Sequence, residues 1–256
     1  MIIILGNNCW VDIEKADKNR VVVVPLGSLE QHGHHLPLLT DTYLVTSVAD
    51  RVEVELGDQI YMLPTLWLGS SDHHLDHPGT VSVPSALYTD VIKNIVRSIA
   101  KAGFRRVYFL NGHGGNIVPG TQAINELVNE SKVYDDMWLA LGSYWTIAAP
   151  NMSAELHGMT SKQLSHACEY ETSMMLHVQG ELVRMERVTA SPPLVDTPYY
   201  HSEHGGRVNV AKRLTTSAPT GAMGNPEAAT AEKGESLLNS IVGEVAEFIQ
   251  NFAMWE

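Results

Sequence analysis

Hydrophobic residues follow two spacings along the chain, and these spacings predict alternating strands and helices. Short, nearly continuous apolar runs are typical of buried strands; they cover Val21 to Leu26, Ile60 to Leu66, Arg106 to Leu110 and Met137 to Leu141. Apolar residues three and four positions apart are typical of helices; they cover Thr42 to Val54, Ala86 to Ala102, Gln122 to Val133, Glu169 to His177 and Pro226 to Phe252. This order predicts an α/β fold whose mainly parallel sheet is covered by helices on both faces.

Polar residues cluster directly after each predicted strand. The carboxyl ends of parallel strands meet at one edge of a sheet, where open α/β proteins bind their ligands. We therefore expect one site at this edge rather than several unrelated ones. Its candidate residues, in strand order, are Glu30, His32 and Asp41; Asp72, His73 and His74; His113; and Trp145.

The first cluster combines carboxylates and imidazoles at a density that favours a metal site. Glu30 and His32 are two positions apart, so in an extended segment both side chains point the same way. The carboxylate of Asp41 has two oxygens and can bridge two divalent cations, and His113 can complete a first ligand set. The alternatives are a hydrogen-bonded turn for Glu30 and His32 and a helix N-cap for Asp41. Buried charged groups are costly to gather without a cation, which favours the metal interpretation.

The glycine-rich segment from Asn111 to Asn116 allows more than one interpretation. Its backbone amides can approach an anion, but its spacing matches neither a dinucleotide-binding loop nor a P-loop. A tight turn from strand to helix is another possibility. We expect the glycines to leave room around a metal-bound His113 for a substrate to approach.

A third group of reactive residues lies between His166 and Ser173. Glu169 and Glu171 cannot face the same way on a helix, so one is expected in the site and the other in solvent or at a cap. His166 can act as a general acid or base, since imidazole titrates near neutral pH. Cys168 is a less favoured nucleophile, and Trp145 can cover a small planar substrate.

Composition argues against several classes of protein. The formal net charge is −12, whereas a nucleic-acid-binding surface needs clustered basic residues. No apolar run approaches a membrane span, and the short apolar N-terminus lacks the basic flank of a signal peptide. The two cysteines are far apart, which favours a reduced, cytoplasmic protein. No linker, charge block or repeat divides the chain, so we expect one domain over residues 1–256.

In combination, these motifs resemble the creatininase (creatinine amidohydrolase) family. The resemblance runs in order from about Val21 to Gly234, and only the combined pattern is specific. It implies a three-layer α/β/α fold, a dinuclear divalent metal centre, hydrolysis of C–N bonds in cyclic or linear amides, and a homohexamer. The motifs that carry it are the run from Glu30 to His35 with Asp41, Asn111 to Asn116, Ser143 to Trp145, His166 with Glu171 to Ser173, Pro78 to Thr80, and Gly221 to Gly234.

The resemblance also implies roles for individual residues. Glu30, Asp41 and His113 would hold one metal ion, and His32 and Asp41 the other. His166 matches the family's catalytic histidine and Trp145 a pocket tryptophan. The expected substrate-lining residues are Tyr144, Trp145, Gly114 and Gly115.

Two departures separate this chain from creatininase proper. Gly115 stands where creatininase has a metal-binding glutamate, and the stretch from Met159 to Leu164 lacks a second pocket tryptophan. We expect Glu171 to complete the second metal site and also to take part in catalysis, and we expect creatinine itself to be a poor substrate.

The predicted function is metal-dependent hydrolysis of a small amide, with His166 as the proton shuttle. Mixed oxygen and imidazole ligands suit zinc, manganese or iron. The alternatives are a non-catalytic relative that binds a metal or ligand, a formamide hydrolase or peptide-trimming member of the same family, and a cysteine-dependent amidase that uses Cys168.

Overall fold

A computed structural model describes residues 4–189, 195–201 and 205–256. The strands are β1 (Val21–Leu26), β2 (Ile60–Met62), β3 (Arg106–Asn111), β4 (Trp138–Ser143), β5 (Tyr200–His201) and β6 (Gly205–Gly206). The helices are α1 (Trp10–Glu14), α2 (Thr40–Leu56), α3 (Ser85–Lys101), α4 (Ile117–Glu130), α5 (Tyr144–Ile147), α6 (Ala154–His157), α7 (Glu169–Gln179), α8 (Leu214–Ser217) and α9 (Ala231–Ala253).

The central sheet has four parallel strands in the order β2-β1-β3-β4. Val22 pairs with Val107, and Val107 pairs with Leu139, so the carboxyl ends of β1, β3 and β4 finish side by side. All six residues of β1 are buried, as expected for a central parallel strand covered on both faces. The short β5 and β6 form a separate antiparallel pair.

Two hydrophobic cores cover the two faces of the sheet and give three layers. On one face, alternate residues of β1 such as Val21 and Val23 pack against side chains of α2, α7 and α9. On the other face, Val22 and Val24 pack against side chains of α3 and α4. The three-layer α/β architecture predicted from the sequence is therefore confirmed.

Three predicted elements have other bounds in the structure. The last helix begins at Ala231 rather than Pro226, because the Thr230 side chain caps it by accepting a hydrogen bond from the Lys233 amide, while Pro226 starts a separate short turn. Helix α4 begins at Ile117, directly after the glycine-rich loop, and ends at Glu130 because Ser131 is extended. Strand β2 ends at Met62.

Helix α9 is the longest helix, with 23 residues, and its apolar side packs into the first core. Its buried positions recur every three or four residues, and the intervening ones are exposed. Among the described residues, no helix combines the length and the apolar character needed to cross a membrane.

The closest packing between α7 and α9 depends on Gly234. A Cβ atom at this position would lie 2.0 Å from the backbone carbonyl oxygen of Ser173 and 2.8 Å from the amide nitrogen of Met174. Neither backbone atom can yield without displacing α7. Since α7 also carries Glu171, this contact fixes the position of a candidate site residue.

We expect Gly234→Ala to lower the free energy of unfolding by about 1–3 kcal/mol, because the added methyl group overpacks a backbone contact. The matched control is Gly243→Ala on the same helix, where no atom lies within 4 Å of the added carbon. That control should raise stability by about 0.5–1 kcal/mol through helix propensity. Urea denaturation of both variants measures the difference, and equal stability of the two would contradict the account.

Candidate metal centre

The sequence-predicted ligands meet at the carboxyl ends of the central strands. Glu30 and His32 lie in the loop after β1, and Asp41 is the second residue of α2. His113 follows β3 directly, and Glu171 lies in the first turn of α7. All five are buried, with exposed fractions of 5% or less.

Glu30, Asp41 and His113 form one group that can hold a metal ion. Nδ1 of His113 lies 3.3 Å from Oε1 of Glu30 and 2.9 Å from Oδ2 of Asp41. One ligand atom from each of the three residues falls within 4.8 Å of the others. This is the set that the family resemblance implies for the first metal.

His32, Asp41 and Glu171 form a second group with the same spacing limit of 4.8 Å. Nε2 of His32 lies 3.0 Å from Oδ1 of Asp41. Asp41 therefore presents one oxygen to each group, since its Oδ2 faces His113. The Ser28 hydroxyl donates a hydrogen bond of 2.8 Å to the Oδ2 atom and helps to fix the carboxylate.

The hydrogen bonds of both histidines direct a lone pair at the carboxylates. Nε2 of His113 lies 3.1 Å from the Ser70 carbonyl oxygen, and Nδ1 of His32 lies 3.2 Å from the Glu30 carbonyl oxygen. A carbonyl can only accept, so these nitrogens carry the hydrogen. In the neutral imidazole, the opposite nitrogen then faces a carboxylate oxygen, and two acceptors lie about 3 Å apart. Such an arrangement needs a proton or a metal ion between them.

The pKa values of the groups in the metal-free site also show that the buried carboxylates favour positive charge beside them. Burial opposes protonation of His32, but Asp41 outweighs it and the pKa of His32 is raised to about 10. The pKa of His113 is raised well above its usual value by Glu30 and Asp41, again against burial. Conversely, His113 lowers the pKa of Glu30 to about 2 despite burial. Oε2 of Glu30 is also buried without a hydrogen-bond partner, so these residues fit a divalent cation.

The structure separates the two candidate carboxylates of α7. Glu169 turns away from the site: it accepts hydrogen bonds from the Lys233 ammonium group at 2.7 Å and from the Ser161 amide at 2.7 Å. Glu171 faces the centre, and burial raises its pKa to about 8. Its carboxylate also accepts a hydrogen bond from the amide of Ala167, which has a φ of +50°. A left-handed alanine directly after His166 marks a strained turn at the site.

His166 lies beside the two ligand groups and belongs to neither, but it forms a third possible set of ligand atoms with Glu30 and His32. Its Nδ1 is 3.8 Å from Oε1 of Glu30, and its Nε2 is 2.9 Å from the backbone oxygen of Gln31. The same Nε2 atom lies 2.9 Å from the side-chain nitrogen of Gln31. In the tautomer that donates from Nε2 to the carbonyl, Nδ1 presents a lone pair to the centre. Burial, followed by the charge of His32, lowers the pKa of His166 to about 3, so the ring is neutral.

Two further residues, Gln31 and His74, support the ligands. The sequence analysis placed His74 at the site without a specific role and did not consider Gln31. The Gln31 side-chain amide donates to Nδ1 of His74 at 2.8 Å, so the hydrogen of His74 lies on Nε2. That nitrogen is 3.2 Å from Oε1 of Glu30 and donates to it. His74 thus orients Glu30, as outer partners of metal ligands commonly do. The position of Gln31 between two predicted ligands was the available signal.

A cavity of about 520 Å³ opens onto the centre. The lining includes Trp145, Gly114, Gly115 and His166, as well as the carboxylates of Glu30, Asp41 and Glu171. A separate cavity of about 620 Å³ beside α3 has an almost wholly apolar lining, with Asp90 as its one titratable group among the described residues. Of these two cavities, the first is the one that combines space with reactive groups.

Tyr144 and Cys168 lie behind this cavity rather than on its surface. Tyr144 is fully buried and packs edge-on against the Trp145 ring, with 5.0 Å between the ring centroids. Cys168 is fully buried in the first core, and burial raises the pKa of its thiol to about 12. A nucleophilic thiolate is disfavoured in such surroundings, so the cysteine-dependent alternative loses its support.

Gly115 has no room for a side chain. A Cβ atom here would lie 2.1 Å from the carbonyl oxygen of Ser70 and 2.4 Å from Nε2 of His113. Those two atoms form the hydrogen bond that sets the tautomer of His113. A side chain at this position would therefore displace His113. Glu171 is the carboxylate that lies close to His32 and Asp41.

Comparison with known proteins finds similarity along nearly the whole chain. The family model described as creatininase (creatinine amidohydrolase) matches residues 7–249. Creatinine amidohydrolase of Pseudomonas putida is 30% identical, over 97% of this chain and 96% of that protein. The mycofactocin precursor peptide peptidase of Mycobacterium tuberculosis is 32% identical, over 91% of this chain and 85% of that protein.

Solved structures show the same architecture. A mutant creatininase complexed with creatine is 28% identical and covers 100% of both chains with a TM-score of 0.83. A manganese creatininase and a mutant of Zn–Zn type are each 28% identical, cover 98% of both chains and have TM-scores of 0.80.

We expect Asp41→Ala to remove both metal ions, whereas His32→Ala mainly weakens the binding of one. Only Asp41 presents an oxygen to both groups. The matched control is Asp50→Ala, which removes an exposed carboxylate from the same helix. Elemental analysis after dialysis against a limiting zinc concentration measures the zinc content of each variant. Full retention of both ions by the Asp41 variant would refute its bridging position.

Proposed function

This chain belongs to the creatininase family and is a metal-dependent amidohydrolase, and we propose that it cleaves a C–N bond in a small amide at a centre of two divalent ions. The proposed ligands of the first ion are Glu30, Asp41 and His113. Those of the second are His32, Asp41 and Glu171. The single observation that supports this assignment is that both histidines direct a lone pair at the oxygens of Asp41.

The donor set suits manganese, zinc or iron, because it combines imidazole nitrogens with carboxylate oxygens. When bound, such ions supply Lewis acidity and lower the pKa of a coordinated water toward neutrality. The protein contributes the position of the ligands: Ser70 fixes His113, and the Glu30 carbonyl fixes His32.

His166 is the proposed proton shuttle. It is neutral, lines the cavity and holds a free Nδ1 lone pair toward the centre while Gln31 secures its other nitrogen. This nitrogen can accept a proton from the attacking water and return it to the leaving nitrogen of the amide. Trp145, Gly114 and Gly115 line the space in which the substrate would lie, and Tyr144 supports the Trp145 ring from behind.

Creatinine is a poor fit to this cavity. A flat small ring needs close walls to be held for reaction, and the stretch from Met159 to Leu164 supplies no tryptophan opposite Trp145. The cavity of about 520 Å³ is also large for such a ring. A formamide or an open-chain amide with a larger body is the proposed substrate.

Three further properties are proposed on sequence and family grounds alone. The homohexamer follows from the family resemblance, the cytoplasmic location from the two separated cysteines, and the single domain over residues 1–256 from the absence of a linker.

We expect the metal-loaded protein to hydrolyse formamides and short open-chain amides with a higher kcat/KM than creatinine. The reason is the missing aromatic wall and the glycine at position 115, which together leave a small ring loosely held. A side-by-side assay of creatinine, formamides, carbamoyl compounds and short peptides measures this order. Creatinine with the highest kcat/KM of the panel would refute the substrate assignment, and no turnover at all would favour a non-catalytic metal-binding protein.

We expect His166→Ala to keep its metal content and to lose about 10²–10⁴-fold in kcat, the usual effect of removing a general acid–base group. The comparison variant is His34→Ala, an exposed histidine that does not line the cavity. Loss of metal from the His166 variant would make His166 a ligand and overturn its assignment as a shuttle.

A further inference from the structure

A second cavity, of about 420 Å³, lies next to the metal-centre cavity. Trp145, Gln163 and Leu164 line both spaces. The second cavity continues past Trp145 toward Met152 and Tyr170. A substrate whose amide lies at the centre therefore has room for a body that extends beyond Trp145.

Among the described residues, Lys162 is the only charged residue in the lining of this second cavity. The other described lining side chains are apolar or neutral, so none of them offsets the charge of the ammonium group. Within the described part of the chain, Lys162 makes no hydrogen bond or ion pair, and its side chain is exposed. By contrast, Lys93 lies 2.9 Å from Glu126 and Lys233 lies 2.7 Å from Glu169.

The other basic residues near the centre are offset by acids. Lys212 and Arg213 line another cavity, together with Asp72 and Asp76. Arg213 lies 3.8 Å from Asp76, and the lining carries as many carboxylates as basic groups. In a chain with a net charge of −12, Lys162 is thus a cation beside the centre that has no counter-charge among the described lining residues of its cavity.

We propose that the substrate is an amide with an anionic group on its far end, and that Lys162 binds this group in the cavity beyond Trp145. The amide end reaches the metal centre, the body passes the Trp145 ring, and the anion pairs with the Lys162 ammonium. This inference rests on the proposed function, since it assigns the substrate class of the same site. A charge-assisted hydrogen bond to a terminal carboxylate or phosphate supplies the selectivity.

The test compares three series of N-formyl compounds of increasing chain length: ω-amino carboxylates, ω-amino alkyl phosphates and neutral ω-amino alcohols. We expect the anionic compound of best length to exceed its neutral counterpart by about 10–100-fold in kcat/KM, the effect of one charge-assisted hydrogen bond. Lys162→Gln should abolish this preference without changing turnover of the neutral alcohols, and Lys162→Arg should retain most of it. The two anionic series show whether the carboxylate or the phosphate is preferred.

The matched control is Lys132→Gln, which removes an equally exposed lysine at the opposite, amino-terminal end of β4. It should keep the preference for anions. Equal rates for anionic and neutral compounds, or a preference that survives in Lys162→Gln, would overturn this inference while leaving amide hydrolysis intact. If no compound is cleaved, the proposed function fails, and the binding of the same compounds is then measured by calorimetry. Tighter binding of the anionic compounds that is lost in Lys162→Gln supports the Lys162 site. Equal affinity for the anionic and neutral compounds refutes it.

Discussion

Three carboxylates, those of Glu30, Asp41 and Glu171, are buried together at the end of the sheet, with exposed fractions of 1%, 3% and 5%. Negative groups so close and so far from water are unfavourable unless positive charge lies among them. Without metal, protons on His32 and His113 supply that charge, and for this reason the pKa values of both imidazoles are raised. Burial also raises the pKa of Glu171 to about 8, which favours its neutral form. Divalent cations can take the same places with better geometry, since both histidines already hold their other nitrogen against a carbonyl.

The fold makes this concentration of charge possible by attaching each ligand to a rigid element. Buried strands β1 and β3 end beside each other, which brings the Glu30 loop and His113 together. Asp41 lies in the first turn of α2, where the helix dipole favours a negative charge. Glu171 depends on α7, and α7 is held against α9 by the close contact at Gly234. Packing between α7 and α9 therefore helps to set the distance between the candidate ligands.

The architecture and most of the centre could be predicted from the sequence, because both depend on local patterns. Buried strands and amphipathic helices have distinct spacings, and the density of acids and imidazoles after each strand indicated one site. The residue pattern alone left the choice between Glu169 and Glu171 open, because it depends on Lys233, which is 64 positions away from Glu169; the expectation of Glu171 came from the family resemblance. His74 was a candidate because of its place after β2, but its contact with Glu30 could not be predicted, since that contact depends on the path of the loop after β2. Start and end residues of helices were less accurate where a capping side chain such as Thr230 competed with a proline signal.

The most direct test of the central claim is the metal content of the protein, measured by elemental analysis before and after reconstitution with zinc or manganese. If cations balance the three buried carboxylates, the loaded protein should hold about two divalent ions per chain, the number expected for one bridging carboxylate between two ligand sets. Protein that binds no metal after reconstitution would contradict the account, because its buried carboxylates would then be balanced by protons alone.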